Sequence, residues 1–160
     1  MLYTTHPSPL GELTLTGPRP GTLASVRVEG QKGGVVLPPG AQRDDGAFAE
    51  AVRQLDAYFA GDLKEFDLVL ETRGSAFREQ VWRALDLIPY GGTVTYGRVA
   101  AMAGLPAQSV RAVGGAIGAN PLMVVRPCHR VIGANGALTG FAGGMERKRQ
   151  LLTLEGVLLG

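Results

Sequence analysis

GRVAAMAGLPAQSVRAVGGAIG, residues 97–118, is the stretch that decides the fold of the second half of this chain. A short helix from Gly97 to Ala103 ends at Gly104-Leu105-Pro106, because proline has no amide hydrogen to continue it. A second helix then runs from about Ala107 to Gly118. Two short helices joined by a glycine-containing turn form the helix-turn-helix pattern. In the second helix Val110, Val113 and Ile117 make a narrow core stripe. Beside it Ala112, Gly115, Ala116 and Ala119 make a face almost without side chains. Gly114 and Gly115 inside a helix each cost about 1 kcal/mol relative to alanine. Two uses would repay a face kept that thin: close packing against another helix, or insertion into a DNA groove with Arg111 at its edge. A thin helix suits the narrow minor groove, whereas a bulky one suits the wide major groove.

Upstream, Ser75 caps a helix whose apolar stripe is Phe77, Val81, Leu85 and Ile88, closed by Pro89. Gly91-Gly92 breaks the chain, and Thr93 to Tyr96 leads into the first short helix. The preceding residues read as a small α/β domain. Leu13 and Leu15 alternate with Thr14 and Thr16, and Val26 and Val28 flank Arg27, which predicts an antiparallel hairpin. Phe48, Val52, Leu55 and Phe59 share a helix face that Gly61 ends, and Phe66, Leu68 and Leu70 alternate as a strand. Charge changes sign at Glu71-Thr72-Arg73-Gly74. Residues 1–72 carry six basic and ten acidic side chains, net −4, and residues 73–160 carry ten basic and four acidic, net +6. The predicted domains are therefore 1–72, small α/β, and 75–160, mainly α with a winged-helix-like helix-turn-helix. The basic half is the candidate for a polyanion partner.

Several classes are excluded. Of 160 residues, 45% are apolar and 19% charged, which is globular rather than disordered composition. No apolar run reaches the roughly 18 residues of a membrane helix. Cys128 is the single cysteine, so an internal disulfide framework and a multi-cysteine zinc site are both ruled out, and no metal or cofactor is expected. Met1 to Leu10 lacks a basic region followed by an apolar stretch, which reads against a cleaved signal and predicts a cytoplasmic protein, with association with the nucleoid as the alternative.

Downstream of the thin helix, Asn120-Pro121 and the apolar Leu122 to Val125 lead to Arg126-Pro127-Cys128-His129-Arg130-Val131. A lone cysteine is most often inert, but this one lies in the most basic segment beside one of only two histidines. A thiol is only slightly ionised at neutral pH, so a nucleophilic cysteine needs a base or positive potential. His129 fits the base, although neighbours in extended chain point to opposite faces. Either the backbone turns here or a water relays the proton. Glu155 is the candidate acceptor that orients His129. It shares a face of the last helix (about Met145 to Leu154) with Lys148, Leu151 and Leu152, at a C-terminus whose dipole disfavours an anion. His6 reads as incidental. Asn135-Gly136 predicts a hairpin pairing Val131-Ile132 with Ala137-Leu138, followed by the glycine-rich loop 139–144.

Pro127-Cys128-His129-Arg130-Val131, with Arg111-Ala112-Val113-Gly114-Gly115-Ala116 and Asn120-Pro121, resembles the O6-alkylguanine-DNA alkyltransferases. The resemblance spans about Phe77 to Gly156. It implies DNA repair by direct reversal: after base flipping in duplex DNA, the alkyl group of O6-alkylguanine, and also of O4-methylthymine, moves irreversibly to Cys128. By the same resemblance His129 deprotonates Cys128 through a water, Glu155 orients His129, Tyr96 donates a proton to the departing guanine, and Asn120 holds the turn before the active-site segment. Arg111, Thr95, Ala112 and Gly114 meet DNA, with Arg111 entering the base stack. Tyr96, Val131, Phe141, Ala142 and Gly143 line the base pocket. The implied partner is double-stranded DNA carrying O6-alkylguanine, and the protein is expected to act as a monomer. Ala142, Phe141 and Arg126 depart from residues common in the family, and Arg126 is expected to raise the potential near the thiolate or to reach a phosphate. A non-catalytic damage-recognition module of the same architecture is the alternative, although such modules lack the cysteine. A cysteine hydrolase leaves the thin helix and Arg111 without a use.

Overall fold

Strand β2 (Gly11–Gly17) sits between two antiparallel neighbours. On one side it pairs with β1 (Leu2–Ser8), from Leu2 opposite Gly17 to Ser8 opposite Gly11. The predicted pairing lies on its other side, where β4 (Ser25–Val28) sets Val28 opposite Leu13 and Val26 opposite Leu15. The tighter β1–β2 hairpin escapes a periodicity reading because Leu2–Ser8 shows no apolar alternation. Its Pro7 is tolerated on an edge, since β5 (Gln42–Arg43) reaches only Leu2 and Tyr3 in a parallel pairing. Leu13 and Leu15 are fully buried, and Thr14 and Thr16 on the opposite face are buried too.

Helix α1 (Ala49–Phe59) buries Ala51, Gln54, Leu55 and Tyr58. The predicted stripe through Val52 and Phe59 is thus rotated: both are only half-buried. Gln54 is the cause. Its side chain accepts from Asp67 N (2.8 Å) and donates to Asp67 O (2.9 Å), so a polar residue faces inward and interrupts the apolar spacing. That clamp also shortens the strand expected over 66–70 to β6 (Val69–Leu70), parallel to β3 (Thr22–Leu23).

The computed structural model describes residues 1–159 and divides the chain into two compact units, Met1–Thr72 and Arg73–Gly160. The first carries this mixed sheet and one principal helix. The second is mainly helical. Its helix α2 (Ala76–Leu85) is capped by Ser75, whose hydroxyl accepts from Arg78 N at 3.2 Å, and α3 (Tyr96–Met102) by Thr95, which accepts from Arg98 N at 3.1 Å. Residues 107–109 form a 3-10 turn rather than the first turn of the next helix, and α4 covers Val110–Gly118. With the helix starting there, core contact begins at Val113. Val110 is 39% exposed and leaves the predicted stripe. Val81, Leu85, Ile88, Val99, Val113, Ile117, Cys128 and Val131 make one buried cluster. Trp82 ties α2 to α4 by donating Nε1–H to the Ala116 carbonyl at 2.8 Å.

The predicted hairpin at Asn135-Gly136 is half correct. The turn forms, closed by Gly136 N to Gly133 O (2.9 Å) with Gly136 at φ +82°. Residues 137 and 138 make no strand, however. Strand β8 (Val131–Ile132) instead pairs in parallel with β7 (Val94–Thr95). The Val131 carbonyl that a second partner could use is already bound by Lys148 Nζ at 2.6 Å. Helix α5 (Met145–Leu154) closes the unit with Lys148, Leu151 and Leu152 buried. Among the described residues no helix is long and apolar enough to cross a membrane.

Candidate active site

The approach to Cys128 is held by one side chain. Asn120 Oδ1 accepts from Leu122 N at 3.0 Å, and its Nδ2 donates to Arg126 O at 3.0 Å, so one amide clasps both ends of the intervening turns. Inside the clasp Val124 has φ +73°, the one positive φ at a non-glycine residue among those described. A three-residue turn, Val125 N to Met123 O at 2.9 Å, closes around it. A β-branched residue held there costs about 1–3 kcal/mol. Burial of Leu122, Met123 and Val124 keeps it in place. The chain then enters a 3-10 turn over Cys128–Arg130. The backbone turns here, yet it brings no thiol to His129 Nδ1, which has no hydrogen-bond partner, so the option left for the proton is a relay.

His129 is fully buried, and its Nε2 lies 2.7 Å from Glu155 Oε2. Arg130 binds the same carboxylate with two donors, Nε to Oε1 at 2.7 Å and Nη2 to Oε2 at 3.0 Å. Its third donor, Nη1, reaches Ile88 O at 2.6 Å, and its guanidinium lies 5.7 Å from the centre of the Tyr90 ring. A carboxylate only accepts, so Nε2 carries the imidazole hydrogen and Nδ1 keeps the lone pair. Among the described residues, Nδ1 is the one buried side-chain nitrogen or oxygen without a hydrogen-bond partner. Burial holds His129 below its ordinary 6.5. Glu155 opposes that shift, and Arg130 and Lys148 add to it. The resting imidazole is therefore neutral.

Burial likewise pushes the Cys128 thiol up, against the Asn120 side chain, the Lys148 charge and the local backbone amides, all of which favour thiolate. Lys148 is fully buried and donates to the Val131 carbonyl and to the Thr139 carbonyl (3.0 Å). Burial lowers its pKa, with Cys128 opposing. The Tyr96 hydroxyl is 2.7 Å from Thr139 Oγ1. Tyr96 and Phe141 pack, half-buried, against the cluster holding Cys128 and Val131. Ala142 is half-buried in the same loop. Gly143 is buried, and a Cβ on it would come within 2.8 Å of the Phe141 ring.

On α4, Arg111 and Ala112 are exposed and Gly114 is half-buried. A Cβ at Gly114 would sit 3.7 Å from the Tyr96 ring, an ordinary contact, and at Gly115 or Gly118 it would meet nothing within 4 Å. Packing therefore leaves Gly115 and Gly118 open, whereas Ala116 of the same face is buried in the core and Ala119 packs against it. Thr95 spends its hydroxyl on capping α3. Of the two uses expected of Arg126, the phosphate contact does not fit, since the side chain is 7% exposed and donates Nε–H to Asp86 Oδ1 at 3.3 Å. Burial raises the Asp86 carboxyl despite the guanidinium beside it. Arg130, Lys148, Thr139 and Val124 were not assigned roles from sequence. For Lys148 the signal was present, since it shares the apolar face of α5 with Leu151 and Leu152.

Comparison with known proteins places this chain in a family. A model described as the DNA binding domain of 6-O-methylguanine DNA methyltransferase matches residues 76–157, and one for the same protein's ribonuclease-like domain matches residues 1–72. The chain belongs to the 6-O-methylguanine DNA methyltransferase family. It is 51% identical over 156 residues to a methylated-DNA–protein-cysteine methyltransferase of Mycolicibacterium paratuberculosis, covering 96% of this chain and 91% of the relative. A protein of the same name from Methanosarcina acetivorans is 47% identical over 156 residues, covering 98% and 99%. Among solved structures, Mycobacterium tuberculosis OGT in complex with DNA aligns at a TM-score of 0.90 with 49% identity, covering 97% of this chain and 92% of that one.

Proposed function

We propose that this protein repairs alkylated DNA by moving the alkyl group of O6-alkylguanine to Cys128, once per molecule. The observation that carries the reading is the buried run of Cys128 and His129 with Glu155, in which His129 Nε2 faces the carboxylate and Nδ1 is left without a hydrogen-bond partner. His129 takes the thiol proton through a water. The sulfur attacks the alkyl carbon, the S–C bond forms as the C–O6 bond breaks, and the electron pair passes to the guanine ring. Tyr96 supplies the proton that neutralises the departing base. The thioether has no route back to thiol, so turnover stops at one.

The target base lies inside duplex DNA and must be extruded at a cost of a few kcal/mol. We assign α3, the turn after it and α4 as a helix-turn-helix of winged-helix type whose thin, exposed second helix enters the minor groove. Arg111 occupies the space the flipped base leaves. The open surface at Gly115 and Gly118 supports this use of the helix. Val131 and the Phe141–Gly143 loop form the pocket wall. The test is stoichiometry: incubate the protein with excess duplex containing O6-methylguanine and digest the DNA to nucleosides. Guanine restored in an amount equal to the protein, with none restored by Cys128→Ser, is expected. Conversion continuing beyond one equivalent would refute the single-use thiol.

A further inference from the structure

We infer that Arg130 is a positioning residue for this reaction: it supplies the counter-charge of Glu155, so that His129 is left neutral with its lone pair on Nδ1. The inference rests on the reading of His129 as the base for Cys128.

The geometry gives Glu155 more positive charge than orientation of a histidine requires. Both carboxylate oxygens receive a guanidinium donor, Oε1 at 2.7 Å and Oε2 at 3.0 Å, and Oε2 also faces His129 Nε2 at 2.7 Å. The charged groups around His129 are Glu155 and Lys148 from the α5 side and Arg130 from its own turn, with Tyr90 stacked beyond Arg130; the Cys128 sulfur meets the backbone of His129. All but Tyr90 are nearly or fully buried. A carboxylate in that setting needs a cation beside it. Without Arg130 the imidazole, 2.7 Å from Oε2, is positioned to become one, binding a proton and keeping it. A histidine already protonated cannot take the proton of Cys128. Glu155 alone would therefore trap the base, and Arg130 releases it by satisfying the charge first. The planar fork suits this task, binding both oxygens while Nη1 anchors on Ile88 O. It also fixes Nε2 as the hydrogen-bearing nitrogen.

The experiment uses the full chain with two readouts: the protonation state of the His129 ring by nitrogen NMR across pH, and the rate of methyl uptake from an O6-methylguanine duplex at each pH. In the natural protein the ring is neutral near pH 7, with hydrogen on Nε2. In Arg130→Met the ring is imidazolium near pH 7, and methyl uptake falls by at least about tenfold there, recovering as pH rises. Arg130→Lys keeps the charge and a neutral ring. Removing both charges, in Arg130→Met with Glu155→Gln, also returns the ring to neutral. A neutral ring in Arg130→Met, or a loss of rate equal at every pH, overturns the inference. Should Arg130→Met fail to fold, an imidazolium near pH 7 in either folded companion variant overturns it equally. If the natural protein takes up no methyl, the base reading fails by itself, while the ring titration still decides whether Arg130 sets the state of His129.

Discussion

Burial holds Cys128 in its neutral form, and burial together with the Arg130 charge does so for His129, so each residue makes stability depend on pH. The folded pKa of His129 lies below its ordinary 6.5, so as pH falls under that value the unfolded chain binds a proton that the folded one refuses. Stability is lost on the acid side. Cys128 lies above its ordinary 9.0, so above that pH the unfolded thiol ionises first and stability is lost on the alkaline side. A thermal-melting series should show this acid-side contribution of His129 as a fall below about pH 6.5, and His129→Asn should lessen that fall relative to the parent. Lys148 gives a second expectation. Lys148→Met leaves the Val131 and Thr139 carbonyls without their donor, a loss of about 1–3 kcal/mol in denaturant unfolding. It also removes a charge that favours the thiolate, so ultraviolet titration should find Cys128 ionising at higher pH. Cys128, His129 and Glu155 could be named from sequence because the first two adjoin and the third is a carboxylate out of place on an apolar face. Arg130 could not. Its partner is 25 residues away, and in sequence it looks like one more basic neighbour.

At the scale of elements, the thin face of α4 separates two readings that the sequence left open. Since a Cβ at Gly115 meets nothing, Gly115→Ala should raise stability by about 0.5–1 kcal/mol through helix propensity alone. Gly115→Leu should fold normally yet weaken duplex binding by roughly tenfold, about 1.4 kcal/mol. Calorimetry and a binding titration check the pair, and a Gly115→Leu protein that unfolds would return the face to intramolecular packing. Helix positions were legible because Ser75, Pro89 and the Gly104-Leu105-Pro106 turn punctuate them. Strand partners were less so. The neighbour of β8 was decided by Lys148 occupying the Val131 carbonyl, and the length of β6 by Gln54 holding Asp67. Both are tertiary hydrogen bonds from polar side chains, invisible to apolar periodicity.

For the whole molecule, the charge of the chain predicts how it meets DNA. Residues 73–160 carry net +6 against −4 for residues 1–72, so binding should weaken steeply with added salt as phosphate contacts are screened. Arg111→Ala should impair repair of duplex DNA far more than reaction with the free alkylated base, because only the duplex requires a side chain to replace the flipped nucleotide. Equal losses on both substrates would remove Arg111 from the base stack. All of this depends on where the carbon ends. Intact-mass measurement after one exposure to an O6-methylguanine duplex, followed by peptide mapping, answers that directly. The account predicts one added methyl, borne by Cys128 and absent from Cys128→Ser. An unchanged mass, or a methyl on any other residue, would contradict it.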